Sequence, residues 1–284
     1  MAPRFNKGGV KSLLTIHLKY FSFNMLFYVP PCKHIRRQMS SEFTDNKKNV
    51  FSVKELDTEK ERNSMKKFLI TIDGPAGSGK TTVSKRLADR LNYTYVDTGA
   101  LYRGIAFEVV SQGADPEDES VLKGVCDRTD LRFDNGADGV RLLSNGLDIS
   151  GKIRTPEISM MASRVSAKPY VRACLLGLQK KMGRDKCAVF EGRDMGTVVF
   201  PHADVKFFMM ASIEERALRR FREMGPESGQ TLEQVEADMR KRDENDSTRD
   251  IAPLKPADDA LVIDTTGLDI EAVVARMAAH IETC

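Results

Sequence analysis

One glycine-rich stretch constrains this chain more than any other part of its sequence. Residues 74–81 read GPAGSGKT, which matches the pattern GxxxxGK[ST] at every fixed position. An apolar run of strand length, 68–73, precedes the stretch, and residues 79–91 carry apolar side chains four residues apart, as on one face of a helix. The sequence therefore predicts a strand, a tight glycine loop and a helix in succession.

This loop has the chemistry of a phosphate site. Glycines let the backbone curl so that successive N–H groups point at phosphate oxygens, and the start of the helix adds a positive dipole end. Lys80 supplies a charge for the β- and γ-phosphates, and the Thr81 hydroxyl can reach a bound Mg²⁺. We predict ATP or GTP binding at a loop that comprises Gly74, Pro75, Ala76, Gly77, Ser78, Gly79, Lys80, Thr81 and Thr82.

The remainder of the chain alternates short apolar runs with longer amphipathic stretches. Runs at 93–97, 187–191, 204–210 and 260–264 have strand length, and helical stretches separate them. Continuous apolar strands between helices are typical of a parallel sheet that is covered on both faces. We predict an α/β fold with a doubly wound, five-stranded parallel sheet.

One segment departs from this rhythm. Residues 130–150 contain three short strand-like pieces, and the pairs Asn135-Gly136 and Asn145-Gly146 separate them. Asn-Gly is the strongest short-range signal for a hairpin turn. We predict a small antiparallel β insert, at about 125–155 with its flanks, within a single domain that covers 65–284.

Composition excludes some classes of protein and partner. The 284 residues include 41% hydrophobic and 30% charged residues, which excludes a wholly disordered or collagen-like chain. The net charge of +3 gives no indication of a nucleic-acid partner. Five cysteines, none in a CxxC pair, argue against a disulfide framework or a zinc site. We interpret them as buried or incidental thiols in a reducing compartment.

The basic excess belongs to the front of the chain, where no acidic residue precedes Glu42. Residues 12–29 are apolar but interrupted, which makes a poor membrane span. An organelle transit peptide is one interpretation. We favour an unstructured extension, or translation that starts at Met39 or Met65, and we exclude 1–64 from the functional argument. The expected location is the cytoplasm.

Phosphate binding alone leaves three classes of function open: a kinase with a small acceptor, a switch GTPase or ATP-driven motor, and a binding module without turnover. A switch GTPase needs a DxxG turn at the γ-phosphate. Residues 264–267 fit that string, but they follow the last predicted strand, and no NKxD motif is present. We therefore interpret 264–267 as an ordinary turn after a strand.

A kinase for a phosphorylated acceptor must gather several anions, and arginine suits this task because its planar fork binds two phosphate oxygens. Arg103 follows the second predicted strand, and on its own it fits a phosphate contact and an exposed helical charge equally well. Arg193 follows the third strand beside Gly192, at the edge where ligands bind in open parallel sheets, which favours a functional role. The arginines at 216–222 have the spacing of a solvated helix face, which we expect for most of them. Those at 240–249 allow either interpretation.

Several motifs together resemble bacterial-type cytidylate kinase, of the P-loop nucleoside monophosphate kinase superfamily. They are GPAGSGKTT, DTGALYR, GKIRT at 151–155, EGRDMGTVVFP and IAPL, and the resemblance covers about 66–284. It implies transfer of the γ-phosphate of ATP to CMP or dCMP with Mg²⁺, and a short helical lid at about 212–230. It also implies small-molecule partners, no nucleic acid or membrane, and a monomer. Another monophosphate acceptor, or a P-loop ATPase or binding module, stays open as the alternative.

The resemblance further assigns roles to individual residues. The implied catalytic group is Lys80, Arg103, Arg193 and Arg249, of which the three arginines clamp the acceptor phosphate. The implied contacts to the nucleoside are Thr98, Ser163, Arg172 and Asp194 at the cytosine ring, Tyr102 beside it, and Arg242 and Asp246 near the sugar.

The chemistry of the base agrees with two of these roles. The Asp194 carboxylate can accept a hydrogen bond from the exocyclic amine of cytosine, where uracil presents a carbonyl oxygen. Arg172 is a donor and suits the acceptor edge of the ring.

Overall fold

The computed structural model describes residues 66–136, 139–225 and 229–284. The expectations for residues 1–64 lie outside this part of the chain. No helix within the described ranges has both the length and the apolar character needed to cross a membrane.

Strands and helices alternate along most of the chain. The strands are β1 (Leu69–Asp73), β2 (Thr94–Asp97), β3 (Leu131–Gly136), β4 (Gly139–Ser144), β5 (Leu147–Asp148), β6 (Ala188–Glu191), β7 (Val205–Met210) and β8 (Leu261–Asp264). The α-helices are α1 (Lys80–Leu91), α2 (Thr98–Ser111), α3 (Glu119–Arg128), α4 (Pro156–Ser166), α5 (Pro169–Met182), α6 (Ile213–Met224), α7 (Leu232–Thr248) and α8 (Ile270–Glu282). A π-helical turn spans Met195–Val199.

Five strands form a parallel sheet in the order β2-β6-β1-β7-β8. The five predicted strands are confirmed, each within one residue of the predicted start. The agreement follows from burial on both sides, since all five residues of β1 are buried. Ile70 and Ile72 pack towards α1 and α8, whereas Leu69 packs against the π-helical turn on the opposite face. The doubly wound α/β fold is therefore confirmed.

A second, antiparallel sheet contains β3, β4 and β5 in that order. Ser144 pairs with Leu147, so Asn145 and Gly146 form a two-residue turn, and both have positive φ, 49° and 82°. This turn confirms one of the two Asn-Gly predictions.

The other prediction, a turn at Asn135-Gly136, is wrong. These residues continue β3, because Asn135 pairs with Val140 and Gly136 pairs with Gly139. The hairpin ladder thus extends two residue pairs further than the sequence suggested.

Two groups of helices, which we call arms, form their own cores beside the parallel sheet. Helices α2 to α5 share one core with the antiparallel sheet, in which Leu101, Ile105 and Leu122 are almost completely buried. Helices α6 and α7 share a smaller core that includes Ala217, Val235 and Met239 and reaches Ala76 of the glycine loop. The carboxyl ends of the parallel strands lie between the arms, where the predicted site residues are placed.

Candidate active site

The glycine loop 74–79 connects β1 to α1. At Gly74, with φ of 145°, an added Cβ would lie 2.0 Å from the backbone oxygen of Met209, so the loop passes too close to β7 for any side chain. Gly79 is the residue before α1 and adopts the left-handed conformation, with φ of 86°. The Ser78 hydroxyl donates to the Pro75 carbonyl at 3.1 Å and closes the turn.

Lys80 lies in the first turn of α1 and is only 4% exposed. Its ammonium donates to the Pro75 carbonyl at 2.5 Å and to the Ser78 hydroxyl at 3.2 Å. Burial lowers the pKa of Lys80 to about 7, and the positive charges of Arg193 and Arg242 lower it further. A buried cation near two other cations is stabilised by an anionic ligand, as phosphate binding requires.

Thr81 follows Lys80 and faces an acidic residue at the end of β6. Its hydroxyl donates to Glu191 Oε1 at 2.8 Å, and the Tyr95 hydroxyl donates to Glu191 Oε2 at 2.6 Å. Burial, together with the charges of Asp97 and Glu191, holds the pKa of Tyr95 far above its usual value, so this phenol stays protonated. A hydroxyl and a carboxylate beside the phosphate loop are hard oxygen ligands of the kind that Mg²⁺ prefers.

Asp73, the last residue of β1, joins the two loops of the site. Its carboxylate accepts hydrogen bonds from the backbone N–H groups of Met195, at 2.9 Å, and Gly196, at 2.7 Å. Burial raises the pKa of Asp73 to about 7, although these two N–H groups act in the opposite direction. The segment that carries Arg193 and Asp194 is thereby fixed to the start of the glycine loop.

At the end of β2, Asp97 performs two tasks. One carboxylate oxygen accepts from the Ala100 N–H and caps α2, and the other pairs with Arg103 Nη2 at 2.8 Å. The Thr98 hydroxyl donates to the Glu191 carbonyl at 2.6 Å. A hydroxyl has one proton and two acceptor positions, so the Thr98 oxygen can still accept from an amine.

Three arginines converge on the buried carboxylate of Asp246. The distances to its oxygens are 3.2 Å from Arg193 Nε, 3.9 Å from Arg242 Nε and 4.0 Å from Arg249 Nη1. The Ser163 hydroxyl also donates to Asp246, at 3.3 Å. Three guanidinium groups therefore lie close to one negative charge. Burial and the charge of Arg193 lower the pKa of Arg242 to about 10.

Asp194 forms the second ionic centre. It pairs closely with Arg172 Nη2, and Arg249 Nη2 lies 3.8 Å from its other oxygen. Burial raises the pKa of Asp194, while the two arginines act to lower it. The guanidinium of Arg172 also donates to the Ser166 carbonyl and lies 5.7 Å from the ring centre of Tyr102.

Several guanidinium N–H groups of the site lack a hydrogen-bond partner in the described part of the chain. Arg103 Nε, Arg242 Nε and Arg249 Nη2 are buried and make no hydrogen bond. Buried polar groups in proteins are nearly always hydrogen-bonded, so unpaired guanidinium donors indicate a place for an external acceptor. Phosphate oxygens are the acceptors that arginine binds best.

Comparison with known proteins supplies the family. The cytidylate kinase family model matches residues 70–283, three quarters of the chain. The chain belongs to the cytidylate kinase family. The predicted family, a kinase and nucleotide-binding transferase on a P-loop fold, is confirmed.

Individual relatives agree with this assignment. The cytidylate kinase of Geobacter sulfurreducens is 46% identical over 211 residues, which are 74% of this chain and 91% of the relative. That of Syntrophotalea carbinolica is 47% identical over 213 residues, 75% of this chain and 91% of the relative. A solved structure of shikimate kinase from Acinetobacter baumannii in complex with shikimate covers 78% of this chain and 97% of its own, at 15% identity and a TM-score of 0.42, too low to bear on function.

In this cytidylate kinase family member, the arginines of α6 differ in environment. Arg222 is exposed, as expected for a solvated helix face. For Arg216 the expectation does not hold, because its side chain is 8% exposed and pairs with Asp243 at 2.5 Å. Arg216 also donates to the Ala76 carbonyl of the glycine loop at 3.2 Å. Arg219, half-buried, donates to the Thr265 carbonyl at 3.0 Å.

Sequence reasoning gave no role to Asp73, Asp97 or Glu191. Each is the last residue of a parallel strand, and the carboxyl ends of parallel strands meet at one edge of the sheet. The signal that could have identified them is therefore an acidic residue that ends three predicted strands.

Proposed function

We propose that this protein transfers the γ-phosphate of ATP to CMP or dCMP and produces ADP with CDP or dCDP, through the residues described above. Membership of the cytidylate kinase family supports the reaction. Within the structure, the observation that carries the proposal is the convergence of Arg193, Arg242 and Arg249 on the single carboxylate of Asp246. Such an excess of guanidinium charge suits two mutually repelling phosphate groups.

The donor nucleotide binds at the glycine loop. Backbone N–H groups of residues 74–82 surround the phosphates, and the α1 terminus adds its dipole. The Lys80 ammonium moves from the Pro75 carbonyl to the phosphate oxygens and neutralises charge that builds up as the γ-phosphate is transferred. A nearby anion restores the charged form of Lys80 by raising its pKa.

The acceptor phosphate lies among Arg103, Arg193 and Arg249. Arg103 is oriented by Asp97, and Arg193 by Asp246 and the Gly192 carbonyl. Arg249 is oriented by the Ala252 carbonyl at 2.7 Å. Because these partners preset each guanidinium, the acceptor oxygen is aligned with the γ-phosphate at little cost in conformational entropy.

Asp194, Thr98 and Arg172 recognise the cytosine ring. The Asp194 carboxylate and the Thr98 oxygen accept from the exocyclic amine, and Arg172 donates to the ring carbonyl and nitrogen. Ser163 is placed on Asp246 in the structure, so its role includes orienting that carboxylate. Arg242 and Asp246 approach the sugar, and Tyr102 supports the base side of the site beneath Arg172.

Magnesium fits the donor side of the site. The Thr81 hydroxyl and the Glu191 carboxylate would hold it beside the phosphates, in keeping with an ion that takes one or two protein oxygens and completes its shell with water and phosphate. When bound, Mg²⁺ supplies charge neutralisation at the β- and γ-phosphate oxygens.

The remaining parts of the proposal concern the chain as a whole. Residues 65–284 form the kinase domain, and the segment at about 212–230 acts as a lid that excludes water, so that transfer to CMP outcompetes hydrolysis. The protein acts in the cytoplasm as a monomer on small-molecule substrates.

A panel of acceptors tests the function. ATP and Mg²⁺ are mixed with CMP, dCMP, UMP, AMP or no acceptor, and ADP and the product diphosphate are quantified by anion-exchange chromatography. We expect ADP formation that requires CMP or dCMP and equals the diphosphate formed. Dependence on UMP or AMP alone, or ADP formation without any acceptor, contradicts the proposal. Lys80→Ala controls for contaminating kinases.

A further inference from the structure

Two cysteines lie together at the contact between α3 and α5, away from the residues assigned to phosphate transfer. Cys126 on α3 is buried, at 3% exposure, and Cys174 on α5 is exposed. The Cys174 thiol donates to the Cys126 carbonyl oxygen at 3.9 Å, so the two residues lie side by side. We propose that these cysteines form a peroxide-sensitive pair, in which oxidation joins α3 to α5 by a disulfide and weakens binding of the acceptor nucleotide.

The two cysteines have different roles: Cys174 reacts with the oxidant, and Cys126 then forms the disulfide with it. Cys174 can meet a solvent oxidant because it is exposed, whereas Cys126 is buried. Interaction with the Cys126 thiol lowers the pKa of Cys174 to about 7, and the same interaction raises the pKa of Cys126. The reactive thiolate therefore forms on the accessible sulfur.

Oxidation proceeds in two steps that balance. The Cys174 thiolate attacks one oxygen of hydrogen peroxide, an S–O bond forms, the O–O bond breaks, and hydroxide leaves and is protonated to water. The Cys126 thiol then attacks the sulfenic sulfur, the S–S bond forms, the S–O bond breaks, and a second water leaves. Peroxide accepts two electrons, and two thiols become one disulfide.

The surrounding contacts hold the two helices in the correct alignment. One turn before Cys174, the Tyr170 hydroxyl donates to Asp127, the neighbour of Cys126, and Lys123 lies 5.7 Å from the Tyr170 ring centre. These contacts join the same turns of α3 and α5 that carry the thiols. Bringing the sulfurs to the ~2.05 Å of a disulfide therefore requires only a small shift of α5 towards α3.

The link to the acceptor site runs through α5. Arg172 lies two residues before Cys174 and is held by Asp194 and the Ser166 carbonyl. Drawing α5 towards α3 displaces Arg172 from these partners. This consequence rests on the proposed function, whereas disulfide formation does not.

The first experiment detects the disulfide in the full-length protein. The chain contains five cysteines. After treatment with hydrogen peroxide we expect two fewer free thiols in denaturant and, by non-reducing peptide mapping, a cross-link within one chain between Cys126 and Cys174. Cys174→Ser should abolish this cross-link, and Cys284→Ser, which removes another exposed thiol, should leave it intact. Retention of all thiols, sulfinic acid at Cys174 with Cys126 free, or a cross-link that involves other cysteines overturns the proposal.

The second experiment measures the consequence for the site. We expect the oxidised protein to show an increase in KM for CMP of about 2- to 10-fold, the effect of one weakened hydrogen bond, with KM for ATP unchanged. Dithiothreitol should reverse the change, and Cys174→Ser should not show it. A cross-linked protein with unaltered KM for CMP overturns the coupling to α5. Failure of the proposed function itself would appear separately, as absence of CMP-dependent turnover in the reduced protein.

Discussion

The Gly196 N–H donates to the Asp73 carboxylate at 2.7 Å, across 123 residues of sequence. With the Met195 N–H on the other oxygen, this contact ties the segment that presents Arg193 and Asp194 to the residue directly before the glycine loop. The donor and acceptor sides of the site thus share one buried anchor, and they cannot shift independently without breaking it.

Replacing this anchor should reduce turnover. In Asp73→Asn one of the two backbone N–H groups faces an amide NH₂ and loses its acceptor. Since a buried unsatisfied donor costs about 1–3 kcal/mol, we expect kcat/KM for CMP to fall about tenfold, measured by steady-state kinetics. Asp118→Asn, which alters an exposed helix cap at α3, serves as the control. Unchanged kinetics in Asp73→Asn would refute the role of this carboxylate.

The same residue predicts how stability varies with pH. Because the pKa of Asp73 is raised from 3.8 to about 7, the native state binds more protons than the unfolded state between these values. The contribution of Asp73 to stability is therefore present at low pH and is lost as pH rises to about 7. Urea unfolding at pH 5 and pH 8 should show that wild type loses stability relative to Asp73→Asn. A difference in unfolding free energy between wild type and Asp73→Asn that is the same at both pH values would contradict the prediction.

Lys80 should take up a proton when ATP binds. Its pKa of about 7 in the structure rises when a triphosphate lies beside it, so at pH 7.5 binding converts neutral Lys80 to the charged form. Calorimetry in buffers of different ionisation enthalpy should show more proton uptake in wild type than in Lys80→Ala. Turnover of Lys80→Ala should fall by about 10²–10³. Lys180→Ala, at an exposed position on α5, should match wild type in both measurements.

Arg193→Lys should impair catalysis although the charge is kept. An ammonium cannot reproduce the two contacts of the guanidinium, to Asp246 and to the Gly192 carbonyl, and still bind a phosphate oxygen. We expect kcat to decrease about 10- to 100-fold, while Arg276→Lys on the exposed face of α8 has no effect. Near-normal kcat for Arg193→Lys would remove this residue from the phosphate clamp.

Asp194→Asn should narrow the preference for cytosine over uracil. The asparagine amide can donate to the uracil carbonyl that the carboxylate repels, so the CMP-to-UMP ratio of kcat/KM should decrease by up to about 5–150-fold. The ratio is the appropriate measure because the substitution also leaves Arg172 and Arg249 without their shared partner, which lowers the folded fraction for both substrates equally. An unchanged ratio would place base recognition elsewhere.

Protein that begins at Met65 should retain the turnover of the full chain. The residues assigned to the site all lie between Asp73 and Arg249. The comparison is kcat and the thermal midpoint of both forms, with CMP as acceptor. An insoluble or inactive shorter form would assign a structural role to residues 1–64.

Much of the fold was predictable because its signals are local. The runs that became β1 and β7 are mostly apolar, as burial on both faces favours, and the glycine loop follows directly from its motif. Asn145-Gly146 marked its turn because the positive φ values are a property of those two residues. Asn135-Gly136 does not form the predicted turn, because Gly136 pairs with Gly139 and β3 continues through both residues.

The site was less predictable because its contacts join distant parts of the chain. The family resemblance pointed to Arg193 and Asp246, but the convergence of three arginines on Asp246 depends on where α7 lies relative to β6. Burial of Arg216 depends on α6 packing beside the glycine loop, which helical spacing alone does not reveal. Asp73 acts through the backbone N–H groups of Met195 and Gly196, and a backbone donor carries no sequence signature.

The anchoring of α6 limits how its arm can swing. Arg216 is joined to the Ala76 carbonyl and Asp243, and Arg219 to Thr265, whose hydroxyl in turn donates to the Ser78 carbonyl. These contacts fix the N-terminal half of α6 to the glycine loop, where we propose that the triphosphate of ATP binds. In the lid closure that we propose, the part of α6 beyond Arg219 would move over the nucleotide, and the part that carries Arg216 and Arg219 would stay fixed.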